Sequence, residues 1–233
     1  MQNRVVSFAD GAGNYLKSMA RLKMSLREVK FSGDFNGYDD YKHIGSPFHR
    51  GLNSIPYAFK PYSIKKAIKG ADILLWCDSP VYATKSIEPV FQHIKEHGYV
   101  FFDNVGFSIG DYTSDACLAK WGMSREEAFD SKMIMACCMG FDLNNPTAKE
   151  FLKRYINAVE DGVSYQGDWF NQNLQVSNDM RVKGHRHDQS VASIIIKQMG
   201  LEVLNGQQTF FAYDSHKGIL PISDTVCLWS AGL

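Results

Sequence analysis

Asp78 ends a short apolar run. Residues 71–80 read Ala-Asp-Ile-Leu-Leu-Trp-Cys-Asp-Ser-Pro. Apolar residues from Ile73 to Trp76, between polar flanks, suit a strand buried on both faces of a parallel sheet. Pro80 stops the strand, so Asp78 and Ser79 fall at its C-terminal edge, where open α/β sheets bind their ligands. A carboxylate there can hold a divalent cation and, through it, a phosphate-bearing substrate. It can equally cap a turn. Asp103 ends a similar run and carries the same two readings.

Three more segments concentrate reactive groups. Gly184-His-Arg-His-Asp-Gln-Ser190 sets His185, His187 and Asp188 at the start of an apolar helix, where backbone N–H groups are free. These groups bind metals or move protons, and the plain alternative is Asp188 as a helix cap. Phe211-Ala-Tyr-Asp-Ser-His-Lys-Gly218 offers His216 as a metal ligand and Lys217 as a point charge for a diphosphate, against a solvated turn. In Phe8-Ala-Asp-Gly-Ala-Gly-Asn14, Gly11 and Gly13 let the backbone approach a ligand. No third glycine completes a dinucleotide fingerprint. An aromatic and a carboxylate at a strand end make Phe8, Ala9 and Asp10 either a loop that holds a nucleobase or a plain turn. Lys60 precedes Pro61, which pre-sets a helix start, and reads as a phosphate ligand at the same sheet edge or as a solvated lysine. Trp169, in Tyr165-Gln-Gly-Asp-Trp-Phe170, suits stacking on a sugar face or pinning its loop to the core.

The elements that position these residues follow from periodicity. Strands are expected at Val5–Ala9, Glu28–Phe31, 73–77, Tyr99–Phe102, Met133–Phe141 and 201–204. Helices are expected at Tyr15–Arg27, Tyr62–Lys69, Ile87–His97, Thr113–Trp121 and Pro146–Glu160, and from His187 or Asp188 to Met199. Ser124-Arg-Glu-Glu127 fits a capping box for a further short helix. Residues 32–56 read as a long loop with short helical pieces. Alternation of strands and helices predicts an α/β fold, a single domain over 1–233 with a mostly parallel sheet and helices on both faces. The stretch 163–186 lacks periodicity, and a loop of that length inside a compact domain is often a lid.

Composition narrows the function. An apolar share of 45% excludes wholesale disorder. Lys+Arg and Asp+Glu each total 25, so no broad basic face exists and nucleic acid is not expected as a partner. Five cysteines without Cys-x-x-Cys spacing point to reduced core thiols and a cytoplasmic setting. No signal peptide or transmembrane run is visible.

In this order, the pieces resemble a GT-A glycosyltransferase, the Rossmann-like class that uses nucleotide-diphosphate sugars. The resemblance is carried by Ala71–Pro80, by Lys132-Met-Ile-Met-Ala-Cys-Cys-Met-Gly-Phe-Asp142 with the helix after Asn-Asn-Pro146, and by His187-Asp-Gln-Ser-Val-Ala-Ser193. It spans roughly residues 4–217. Within the class the chain is similar to the small N-terminal transferase domain of a chlorella-virus glycan-building protein, which implies a viral origin and a host-cytoplasm location. The resemblance implies transfer of a hexosyl or deoxyhexosyl group from a UDP-sugar to a hydroxyl of an oligosaccharide or glycan acceptor. It implies Mn²⁺ or Mg²⁺ held by Asp78 and His216. Phe8, Ala9, Asp10, Gly11, Tyr15, Lys60, Asp78, Ser79, His187 and Lys217 would line the nucleotide and substrate site. Asp188 would act as base if configuration inverts, and Asp188 or Gln189 would brace the donor sugar if it is retained. The chain departs from the class where Pro80 replaces the usual second aspartate. A metal-dependent hydrolase built on His185, His187 and Asp188, and a non-catalytic glycan-binding domain built on Trp169, are the rival readings.

Overall fold

A computed structural model of the chain describes residues 1–11, 13–47, 54–219 and 222–231. Part of the long loop expected at 32–56 therefore lies outside the described residues. In chain order the elements are β1 (Asn3–Phe8), α1 (Asn14–Glu28), β2 (Asp34–Tyr38), α2 (Tyr41–Ile44), α3 (Phe59–Ala67), β3 (Ile73–Cys77), β4 (Val81–Ala83), α4 (Glu88–His97) and β5 (Tyr99–Val100). There follow β6 (Asp103–Ser108), α5 (Asp115–Trp121), α6 (Arg125–Phe129), β7 (Lys132–Ile134), β8 (Cys138–Asp142), α7 (Pro146–Asn157), α8 (His187–Met199), β9 (Phe211–Tyr213) and β10 (Leu228–Ser230).

The main sheet has the order β2-β1-β3-β8-β5. β1 pairs in parallel with β2 and β3, whereas β8 runs antiparallel to both β3 and β5. Four of its five strands thus share one direction, as the alternating pattern predicts. All five residues of β3 are buried. They alternate between two cores with the two-residue period of a strand. Leu74 and Trp76 pack with residues of α3, α7 and α8, while Ile73, Leu75 and Cys77 pack with residues of α1 and α4. Helices therefore cover both faces. Gly140 in β8 permits the approach of α4, since a Cβ there would meet Ile94 Cδ1 at 2.4 Å.

Local chemistry sets the helix ends. Ser114 Oγ accepts from the Cys117 N–H, Ser124 Oγ from Glu127, and Asn145 Oδ1 from Thr147 and Ala148. Each satisfies N–H groups that the first turn leaves without partners.

Several expected boundaries are corrected. Glu28–Phe31 is no strand: Glu28 ends α1 and Lys30 turns the chain at φ 58°. The second strand is the polar Asp34–Tyr38, which pairs with β1 at the sheet edge and needs no apolar pattern there. α3 begins at Phe59, so Lys60 lies inside the helix instead of ahead of it. Met133–Phe141 is two strands, because β7 pairs with β6 while β8 joins the main sheet. Tyr99–Phe102 shortens to Tyr99–Val100, and 201–204 reduces to a single bridge between Phe102 and Leu204. Asp103 opens β6, and its carboxylate accepts from Gly206 N–H at 2.9 Å, a structural tie outside the site described next.

Candidate active site

The C-terminal end of β3 carries Asp78 to the mouth of a cleft. The indole N–H of Trp76 donates to Asp78 Oδ1 at 2.7 Å. Lys60, on the first turn of α3, reaches the same oxygen at 3.1 Å. Its ammonium also lies 2.6 Å from Asp188 Oδ2, on the first turn of α8, and donates to the Ala136 carbonyl at 2.8 Å. Lys60 is 1% exposed and Asp188 3%. One buried cation therefore joins carboxylates from two elements that lie 110 positions apart in sequence. Burial pulls the ammonium down, but Asp188 and Asp78 outweigh it and hold Lys60 above the ordinary lysine value. Burial pushes the Asp188 carboxyl up to about 6, against the pull of Lys60. Asp188 makes no helix cap: the residue at the cap position is Arg186, with no side-chain cap bond. Gln189 follows it into the site and donates from Nε2 to the Ile134 carbonyl at 2.7 Å.

Two cavities meet at this cluster. A cavity of 360 Å³ is lined by Phe8, Ala9, Asp10, Tyr15, Tyr41, Tyr57, Phe59, Asp78, Ser79 and Pro80. Its aromatic wall is ordered: Phe8 stacks on Phe59 at 4.8 Å and meets Tyr41 edge-on at 5.1 Å. A second cavity of 130 Å³ shares Tyr57 and Asp78 and adds Lys60, Ala136, Cys137, Trp169, Arg186, Asp188, Gln189 and Tyr213. The segment 163–186 supplies Trp169 to this second cavity. It lacks regular structure apart from a short 3-10 turn at Gln172–Leu174, and buried Tyr165, Val176, Val182 and His185 tie it down. Gly184 permits the return of the segment, because a Cβ there would lie 2.0 Å from the Trp169 carbonyl oxygen.

Among solved structures, the chain is similar to a glycosyltransferase involved in the glycosylation of the major capsid of PBCV-1, with 12% identity and a TM-score of 0.57 over 99% of this chain and 93% of that one. It is similar to mouse xyloside xylosyltransferase 1, with 10% identity and a TM-score of 0.52 over 99% and 97% of the two chains. A third is the bifunctional glycosyltransferase WbbM, with 10% identity and a TM-score of 0.51. The chain covers 45% of WbbM, so it spans less than half of that protein. This chain has the GT-A-like glycosyltransferase fold. No family model matches it, and no curated protein matches it in sequence.

Within this GT-A-like fold, Phe8, Ala9, Asp10, Tyr15, Asp78 and Ser79 come together around one cavity, with Gly11 exposed in the loop that supplies three of them. Lys60, Asp188 and Gln189 gather in the other. His187 stands behind the wall: its ring stacks on Tyr57 at 5.4 Å and its Nδ1 bonds the Tyr165 carbonyl. Lys217 is drawn elsewhere. It pairs with Asp214, donates to the Tyr82 hydroxyl, covers the Trp229 ring and lines a different cavity. His216 sits against Tyr213, ring centroids 5.8 Å apart, and its Nδ1 is buried with no hydrogen-bond partner among the described residues. Tyr41, Tyr57, Phe59 and Arg186 escape sequence reasoning. The aromatics flanking Lys60 were the available signal for Tyr57 and Phe59.

The donor set does not fit the divalent cation that the fold suggests. Pro80 has no ligating side chain where a second carboxylate is needed. Asp78 Oδ1 is shared between Trp76 and Lys60. No group of three His, Cys, Asp or Glu side chains able to hold a metal ion occurs among the described residues. Also among them, no helix is long and apolar enough to cross a membrane.

Proposed function

We propose that this chain transfers a sugar from a uridine-diphosphate sugar to a hydroxyl of a glycan acceptor. The observation that carries the proposal is the buried Lys60 joining Asp78 to Asp188 beside an aromatic-walled cavity. The fold supports it. The nucleobase lies against the aromatic wall of the larger cavity, where stacking is worth about 1–3 kcal/mol per base. Asp78, at the junction, receives polar groups of the nucleotide. The donor sugar lies in the smaller cavity against Asp188 and Gln189, whose Nε2 is already committed, leaving Oε1 to accept from a sugar hydroxyl. Asp188 is buried and fixed to an ammonium, so we assign it to holding the donor sugar rather than to taking the acceptor's proton. The rigid cluster keeps the reacting carbon in one place, the positional advantage that such sites exploit. Trp169, 42% exposed at the cavity rim, and its loop close over the donor and exclude water, which would otherwise hydrolyse it.

The hydrolase reading loses its ligands. His185 and His187 are buried, and both rings bond backbone carbonyls. The glycan-binding reading loses ground because the Trp169 ring already packs against Arg186, 3.8 Å from its centroid, and stacks on Tyr57 at 6.0 Å.

Calorimetric titration with uridine, UDP and a panel of UDP-sugars tests the proposal, together with detection of the glycosylated product. One-to-one binding of uridine nucleotides is expected, with product formed from at least one donor. Absence of heat with every uridine compound would sink it.

A further inference from the structure

The smaller cavity carries an uncommitted cation. Lys60 is neutralised twice over, by Asp78 and by Asp188, which leaves the cluster with one net negative charge. A donor diphosphate entering beside that cluster would be repelled. Arg186 is the other cation on the cavity wall. Its guanidinium packs on two rings, 3.8 Å from the Trp169 centroid and 4.2 Å from that of Tyr112. Its side-chain hydrogen-bond partner, the Trp169 carbonyl, is neutral, and so is the Tyr112 ring it packs against. No carboxylate pairs with it among the described residues, although Arg125, Arg181 and Lys183 nearby in sequence and space all have one. A planar cation held rigid in this way, with donors to spare, is built to receive a pair of anionic oxygens.

We propose that Arg186 meets the diphosphate of the donor and that the site needs no divalent cation to do so. The inference rests on the donor reading above. It accounts for two facts together: the chain lacks the second carboxylate at Pro80, and it carries an unpaired guanidinium on the same cavity. In the reaction the bond between the sugar carbon and the diphosphate oxygen breaks, and its electron pair stays on that oxygen. The acceptor oxygen bonds to the sugar carbon and gives up its proton to the departing diphosphate. Arg186 donates hydrogen bonds to the diphosphate as its negative charge grows, the role of fixed cations in phosphate-leaving reactions.

The test compares uridine with UDP on the full chain in EDTA, for the wild type, Arg186→Lys and Arg186→Gln. Charged hydrogen bonds of this type correspond to roughly tenfold or more in affinity. The wild type should therefore prefer UDP over uridine by about that factor without metal. Arg186→Lys should keep part of the preference, and Arg186→Gln should bind the two alike. Retained uridine affinity in the variants shows that the site is folded. Equal binding of UDP and uridine by the wild type in EDTA, with the preference restored by Mn²⁺, overturns the proposal. So does an unchanged preference in Arg186→Gln. If uridine itself does not bind the wild type, the donor reading fails and this inference falls with it.

Discussion

Two titratable clusters meet at the start of α8 and behave in opposite ways. Lys60, Asp78 and Asp188 come from three separate elements, and their charges oppose one another inside the protein. His185 and His187 are almost contiguous with Asp188, yet they serve the scaffold. His185 Nδ1 accepts from the Ser114 N–H at 3.2 Å, which places its proton on Nε2 to donate to the Ser164 carbonyl at 3.1 Å. Burial pushes His185 down to about 3 and also lowers His187, so both stay neutral. Proximity in sequence is thus a poor guide to shared chemistry. A residue at a loop-to-helix junction belongs to whichever neighbour its side chain can reach.

The largest effect should come from removing the hub. Lys60→Met leaves the buried Asp188 carboxylate, and the partly exposed Asp78, without a counter-ion, and a buried charge stranded in this way costs about 3–5 kcal/mol in comparable sites. Urea unfolding should show that loss, and transfer should fall by orders of magnitude. Asp78→Ala and Asp188→Ala should each cut transfer on the same scale while leaving a cooperative unfolding transition. Wild-type transfer and stability in Lys60→Met would remove the contrast, because the buried charges would then do no more than the histidines.

A smaller effect separates the clusters by pH. Asp188 titrates at about 6 in the folded chain, above the ordinary aspartate value of 3.8. Below about 6 it is neutral and no longer holds Lys60 or the donor as an anion, so transfer should rise with pH through about 6 and level off above. The stability consequence has the opposite sign. Between 3.8 and about 6 the unfolded chain has released this proton while the folded chain keeps it, so the contribution of Asp188 to stability falls as pH rises through that window. Asp188→Asn should remove that slope. A pH–rate profile flat from 5 to 8 would detach Asp188 from the reaction.

The sequence shows the ends of this cluster better than its centre. Asp78 is legible because a strand buried on both faces has a recognisable pattern and a proline marks its end. Asp188 is legible because the α8 pattern starts beside it. The bond between them is not, because it depends on α3 bringing Lys60 under both, and no local signal records a contact between residues 60, 78 and 188. Tyr41 joins the cavity through a single turn of helix in a polar stretch. The edge strand Asp34–Tyr38 hides for a related reason: half exposed, it has no apolar face to show. Met133–Phe141 misleads in the other direction, since an unbroken apolar run conceals the point where the chain passes between sheets. Lys217 has the right chemistry for a diphosphate, but Asp214, three residues before it, captures the charge.

The smallest effect, and the sharpest on the scaffold side, concerns His185. Replacing it with Gln leaves at least one of the Ser114 N–H and the Ser164 carbonyl poorly satisfied, at about 1–3 kcal/mol for a buried polar group without its partner. Turnover per folded molecule should stay at the wild-type level, because the ring faces the segment 163–186 and α5 rather than either cavity. The acid limb of stability should change as well. His185 is neutral in the folded chain down to about 3, whereas the unfolded chain takes up a proton near 6.5. Its contribution to stability is therefore complete above 6.5 and declines as pH falls toward 3, since the unfolded state binds more protons throughout that window. Unfolding measured at pH 7 and pH 5 should show a smaller difference for His185→Gln than for the wild type. If the folded variant instead loses transfer at pH 7 with uridine binding intact, the imidazole takes part in the reaction, and the division between a charged cluster that acts and a neutral one that holds is wrong.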